Sequence, residues 1–293
     1  MSLPVTESVC DASAALDAQP TEKVAHLLLE TQQTALSAIN TALPNITKAA
    51  AIMAQTIRAG GRLIYAGAGS SGLMAMADAL ELAGTFGIST DQVKILMAGG
   101  FPTDSHMPGH TEDDAHAARA DAGEIEARDT VIALSASGTT PYPTAILTAA
   151  KDAGASRIAI ANNIGAPFFE LADVAICLPT PPELIAGSTR MGAGSAQKVA
   201  LNTMSTLMGV ELGHVYDGMM VNLVADNLKL RNRAVGMVTQ IANTDASTAI
   251  GHLETCNWAV KPAILMASGA SHDTAFYLLS TTQGHLRAAL EKL

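Results

Sequence analysis

Charge, aromatic rings and cysteine are all scarce in this chain of 293 residues. Charged side chains make up 15 % of it, and 17 Lys+Arg face 27 Asp+Glu, for a net charge of −10. Nucleic acid needs a cationic face for its phosphates, so it is excluded as the principal partner. Cys10, Cys177 and Cys256 form no CxxC pair, which excludes a disulfide framework and a cysteine zinc site. Long hydrophobic runs are missing too. The longest uncharged stretch, 130–150, is interrupted by Ser135, Ser137, Gly138, Pro141 and Pro143, so no membrane span is expected. The opening MSLPVTESVCDASAALD has neither the basic region nor the apolar stretch of a signal peptide, and a reducing cytoplasm is the expected location.

What is present is aliphatic. Apolar residues reach 48 % while aromatics are 3 %, which excludes disorder and supplies a large core of small and branched side chains. The length suits one large domain with a smaller one.

After a polar start, Pro20-Thr21-Glu22-Lys23 reads as a helix opening. Val24, Leu27, Leu28, Leu36, Ile39 and Leu43 follow at helical spacing, with Pro44 expected to close the helix and a second one running over 46–58. From there short apolar runs alternate with helical stretches, the pattern of a parallel α/β sheet. Strands are predicted at 62–66, 93–97, 130–134, 157–161 and 174–178. Helices are predicted at 72–82, 115–122, 143–153 and 167–171, with a long one at 195–213 and a helical stretch with irregular ends over 215–233. Asn243-Thr244-Asp245-Ala246-Ser247 and Ser271-His272-Asp273 then read as helix caps, consistent with a small helical C-terminal domain. The resulting division is an N-terminal helical segment 1–57, an α/β domain 58–234 and a helical domain 235–293.

Ligands of open parallel sheets bind beyond the carboxyl ends of the strands, so those loops come first. Gly67-Ala68-Gly69-Ser70-Ser71-Gly72 satisfies GxGxxG and opens a helix, where glycines admit an anion and free N–H groups attract it. A dinucleotide site would also need an acid closing the second strand, and that strand ends in Ile95-Leu96-Met97-Ala98-Gly99-Gly100. A tight turn with no ligand stays open as an alternative. Ser135-Ala136-Ser137-Gly138-Thr139-Thr140 brings four hydroxyls to a second helix start, suited to a phosphate or sugar, or to an ordinary cap followed by proline. A third loop, Gly187-Ser188-Thr189-Arg190 on to Gln197-Lys198, adds a bidentate anion donor and a point charge.

Among the acids, Glu81 falls near the end of the first helix after the glycine loop, and Glu112-Asp113-Asp114 follows the second strand. Two carboxyl groups at one sugar phosphate divide acid and base duties when their environments separate their pKa values. Residue type alone does not select Glu81 over Asp78. His106, His110 and His116 flank Pro108-Gly109, which breaks helical ligand geometry, so no metal site is expected. His110 beside Glu112 is the one placed to tune an acid. GxSxG and P-loop spacings are absent.

With these loops in place the chain resembles the N-acetylmuramic acid 6-phosphate etherases, of the sugar isomerase (SIS) superfamily. The resemblance runs over about 16–293 and rests on LDAQPTEKVAHLL, INTALPNI, GGRLIYAGAGSSG, DALELAGTFG, AGG, EDD, SASGTTPY, PPELIAGSTRMGAGSAQK and VNLVADNLKLRNRA. It implies a three-layer αβα fold with a five-stranded parallel sheet, N-terminal helices and a small helical C-terminal domain. The implied reaction removes the C2 proton of the ring-opened sugar, expels D-lactate from C3 and adds water. Glu81 corresponds to the acid and Glu112 to the base, an assignment that residue types leave open. Ser70, Ser71, Ser135, Ser137, Thr139 and Ser188 correspond to the substrate-binding set, to which the glycine turn and the third loop add Gly69, Arg190 and Lys198. No metal or organic cofactor is implied. The implied partners are a phosphorylated amino sugar and a second copy, a homodimer with sites near the subunit interface. The family pattern carries Arg after the glycine turn and a basic residue after STRM, where this chain has Leu73 and Gly192. A non-catalytic sugar-phosphate-binding regulator and an aldose-ketose isomerase are the alternatives.

Overall fold

The computed structural model describes residues 4–293. The first three residues, which open the expected 1–57 segment and carry part of the signal-peptide reading, lie outside the described residues.

The polar start folds as short 3-10 turns, Val5–Glu7, Asp11–Ser13 and Leu16–Ala18, before α1 (Thr21–Leu36) and α2 (Ile39–Arg58). Pro44 does not close a helix: it sits inside α2, and the break falls earlier, at Ser37 and Ala38. A proline removes one helical bond, here the one to the carbonyl of Asn40, and Asn40 is exposed so that water can serve it.

Five strands follow, β1 (Leu63–Gly67), β2 (Val93–Met97), β3 (Thr130–Ser135), β4 (Ser156–Ala161) and β5 (Val174–Cys177), each within a residue or two of its predicted span. They pair in parallel in the order β2-β1-β3-β4-β5. β1 and β3 are buried along their whole length, as strands covered on both faces must be. The intervening helices are α3 (Gly69–Ala79), α4 (Leu82–Phe86), α5 (Ala115–Asp121), α6 (Pro141–Asp152) and, after β5, α7 (Gly192–Glu211). The stretch 167–171 is a 3-10 turn, not an α-helix.

The strand period of two separates the layers. Ile64, Ala66, Val131 and Ala133 share one cluster with Ala118 of α5 and Ile146 of α6. The alternate residues face the other way. Tyr65 donates to Asp78 of α3 at 3.0 Å, and Thr130 meets Thr56 of α2 at 2.6 Å. The result is the expected three-layer αβα architecture.

The chain divides into two compact units, the described residues up to Ala79 with Asp91–Ser205, and Leu80–Thr90 with Thr206–Leu293. The divisions therefore fall elsewhere than at 57/58 and 234/235, and the latter lies within α8 (Leu228–Ala242). The second unit also contains α9 (Ala246–Thr255), α10 (Val260–Ala267), α11 (His272–Thr281) and α12 (Leu286–Leu290). Asp245 and Ser271 cap α9 and α11 as the sequence predicts. The stretch 215–227 is not helical. Asp217 and Gly218 both take positive φ, at 46° and 76°, and close a tight turn bridged by Tyr216 and Met219, the geometry that an Asp-Gly pair favours. Among the described residues no helix is long and apolar enough to cross a membrane.

Candidate active site

In a sheet of this order the chain turns back between β1 and β3, and ligands bind outside the strand ends at that point. The β1–α3 loop is built around its glycines. A Cβ on Gly67 would lie 2.8 Å from the Cα of Gly72, so only two glycines let the first turn of α3 come this close to the strand. Gly69 has φ +51° and a Cβ there would stand 2.7 Å from Oε1 of Glu112. The absence of a side chain thus seats the Glu112 carboxylate at the start of α3, where the first backbone N–H groups have no helical partner.

Across the switch point, Ser135 is buried and ties its loop together. Its Oγ accepts the Gly138 N–H at 2.9 Å and lies 2.8 Å from Oγ1 of Thr140. Ser137 Oγ accepts from the N–H and Oγ1 of Thr139 at 3.2 and 3.0 Å. The third loop is fixed from behind by Glu183, 4 % exposed, whose carboxylate accepts the N–H groups of Gly192 and Ala193 at 2.9 and 2.8 Å. This caps α7. A Cβ on Gly192 would stand 3.0 Å from Ala35 Cβ, so a larger residue here would have to displace α1 or its own helix start slightly.

These loops enclose a cavity of about 290 Å³ lined by Glu7, Gly69, Ser70, Ser71, Glu112, Ser135, Ser137, Thr140, Gly187 and Thr189, among others. It brings together six of the expected residues: Gly69, Ser70, Ser71, Glu112, Ser135 and Ser137. Glu112 also borders a neighbouring cavity of about 200 Å³ walled by the 97–111 loop, His106 included. Its carboxyl is pushed above the usual range, first by burial and then by repulsion from Asp113.

The other expected residues lie elsewhere. Thr139 is exposed and lines a neighbouring cavity with Asn162 and Ile164, while Thr140 lines this one. Ser188 and Arg190 do not line the cavity; Thr189 and Gly187 of the same loop do. Lys198 bonds Asn202 at 2.6 Å and stands 3.9 Å from Asp78. Asp78 is buried among Tyr65, Ser205 and Lys198, which gives it a structural role and separates it from Glu81. Glu81 is exposed and precedes α4 as its N-cap residue, in the segment that belongs to the second compact unit. The helix expected over 72–82 instead starts at Gly69 and ends at Ala79.

Glu7 was not legible from sequence. Nothing in spacing or composition links position 7 to the loops. Thr6 makes the link by donating its N–H to Asn163 Oδ1 at 3.3 Å and accepting from Asn163 Nδ2 at 2.9 Å, which leaves Glu7 in the cavity wall near Gly187. The lining holds two carboxylates and no Lys or Arg among the described residues. An anion there would be held by N–H groups and hydroxyls. Among the described residues no three His, Cys, Asp or Glu gather as a metal site would require.

The SIS domain family matches residues 28–162. Solved structures share the fold. A Bacteroides fragilis protein involved in capsule formation superposes with a TM-score of 0.53 at 20 % identity, covering 68 % of this chain and 95 % of that one. A Neisseria gonorrhoeae phosphoheptose isomerase gives a TM-score of 0.50 at 19 % identity, covering 65 % and 98 %. Much nearer in sequence is the N-acetylmuramic acid 6-phosphate etherase of Shouchella clausii, 38 % identical over 98 % of both chains. That of Deinococcus radiodurans is 38 % identical over 97 % of this chain and 94 % of its own. Identity at this level over nearly the whole length of both proteins covers every loop of the site, and on that ground the chain belongs to the N-acetylmuramic acid 6-phosphate etherase family.

Proposed function

We propose that this chain cleaves the D-lactyl ether of N-acetylmuramic acid 6-phosphate to give N-acetylglucosamine 6-phosphate and D-lactate. In the ring-opened sugar the C1 aldehyde acidifies the C2–H bond. Glu112 takes that proton, the electron pair becomes the C2=C3 bond, and the C3–O bond breaks. Glu81 protonates the departing lactate oxygen. Water then adds at C3 and a proton returns to C2, so the acid and base end as they began. The roles of the two glutamates come from the family resemblance. The observation that carries the reading is the seat of Glu112: a half-buried carboxyl raised above its ordinary range, set against Gly69 at the start of α3 in a cavity lined by Ser70, Ser71, Ser135 and Ser137. A base is most effective when its pKa approaches the working pH. The hydroxyls and the free N–H groups of α3 suit the phosphate and sugar oxygens.

Lactate release decides the matter. Wild type is expected to release D-lactate from N-acetylmuramic acid 6-phosphate, and Glu112→Gln and Glu81→Gln to lose on the order of 10²–10⁴-fold in rate. A phosphosugar that raises the melting temperature of wild type without releasing lactate would instead favour a binding protein. Interconversion of aldose and ketose without lactate would favour an isomerase. A homodimer in the cytoplasm completes the proposal, supported by the exposed Leu29 and Leu36 of α1 and Leu43 of α2, an apolar set that a second copy would cover.

A further inference from the structure

The unit formed by 80–90 and 206–293 holds a cavity of its own, about 550 Å³, and none of the candidate active-site residues lines it. Lys261, in the first turn of α10, is one of its walls and is only 6 % exposed. A buried ammonium needs acceptors for three N–H groups. Lys261 has one among the described residues, the Gly284 carbonyl at 2.9 Å. No carboxylate offsets its burial, which pushes its pKa down to about 8. At neutral pH it is still mostly charged, with two donors to spare. A lysine serving only to cap the Gly284 carbonyl has no need of a cavity of this size beside it.

A second cation faces the same space. The Arg231 guanidinium lies 4.7 Å from the centroid of the Trp258 ring, a stacked position that orders it in advance of any ligand. Trp258 itself is held with φ +64°, after Asn257 at +50°, a conformation bulky residues rarely adopt. Leu279, Val260 and Pro262 supply apolar wall, and Asn222 an amide. Asp226 is the one carboxylate in the lining. It is exposed and accepts from the Asn227 amide at 2.8 Å, not from either cation.

Two cations against an apolar, partly aromatic wall define a class of ligand. We propose that this cavity is a second ligand site that takes a small organic oxyanion, a carboxylate or a phosphate ester, anchored by Lys261 and Arg231. The chain has a single tryptophan, and it lines this cavity, so its fluorescence reports on this cavity.

The test titrates the whole protein with D-lactate in one arm and glycerol 3-phosphate in the other, at constant ionic strength, and follows Trp258 emission. A saturable change in either arm is expected, and which arm responds tells carboxylate from phosphate. Lys261→Met and Arg231→Gln should each weaken it at least tenfold, while Ser71→Ala should leave it unaltered. Arg231 is exposed, so R231Q decides the question even where K261M fails to fold, as circular dichroism would show. No saturable change in either arm, or one that R231Q keeps at wild-type affinity, overturns the proposal.

Discussion

Two effects act on Glu112 in the same direction. Burial removes water from its carboxylate, and the charge of Asp113 repels it, so its pKa rises. A base must be ionised, and the proposed activity therefore falls as pH drops through this raised value. Asp113→Asn removes the repulsion and leaves the burial. The acidic limb of the kcat/KM profile for lactate release is expected to move to lower pH in that variant, and an unmoved limb would mean that a different group sets it. Glu7 shows the same scale from the other side. Its place in the cavity wall depends on the paired hydrogen bonds between Thr6 and Asn163, residues 157 positions apart, and no local pattern encodes such a pairing.

At the level of elements, the junction of β1 and α3 does the positioning. Gly67 and Gly72 touch backbone to backbone, and a Cβ on Gly67 would press on the Cα of Gly72. Gly67→Ala should push α3 away from the strand, cost about 1–3 kcal/mol and lower lactate release further than the stability loss explains, because Gly69 and Ser70 move with the helix. Denaturant unfolding read beside turnover separates the two effects. α7 is positioned differently, by a carboxylate: Glu183 meets the N–H groups of Gly192 and Ala193, a charge-assisted cap at a helix start. The segment expected to be a helix over 215–233 is helical only from Leu228 on. The Asp217-Gly218 turn and the anchoring of Asn222 Nδ2 to the Phe86 carbonyl at 2.8 Å hold 215–227 irregular.

For the whole molecule, what matters is which residues fold together. The segment 80–90 belongs to the unit of 206–293: Phe86 fills the space a side chain on Gly209 would need, with its ring 2.6 Å from that Cβ position, and the Val224 N–H bonds the Gly84 carbonyl at 3.3 Å. Glu81 rides on that segment. A chain ended after Arg233 would lose Met237, Val238, Leu253 and Ile264 from the core of this unit. It is expected to lose lactate release and melt at a lower temperature, and turnover equal to wild type would refute a need for these helices in the proposed activity.

The sequence by itself determined the layered architecture and the two principal loops. Strands buried on both faces must be continuous apolar runs, and a glycine turn from strand to helix leaves GxGxxG, so β1, β3 and the residues from Gly67 to Gly72 were legible one position at a time. Pro44 misled because a proline's cost can be met by water at an exposed carbonyl. Thr139 and Thr140 are equal in composition, and only the path of the backbone into α6 decides which one faces the cavity. Glu7 and the buried ammonium of Lys261 were decided by tertiary structure alone. What a side chain does there depends on which distant groups exclude water from it and which acceptors they bring, and neither is a property of neighbouring residues in the chain.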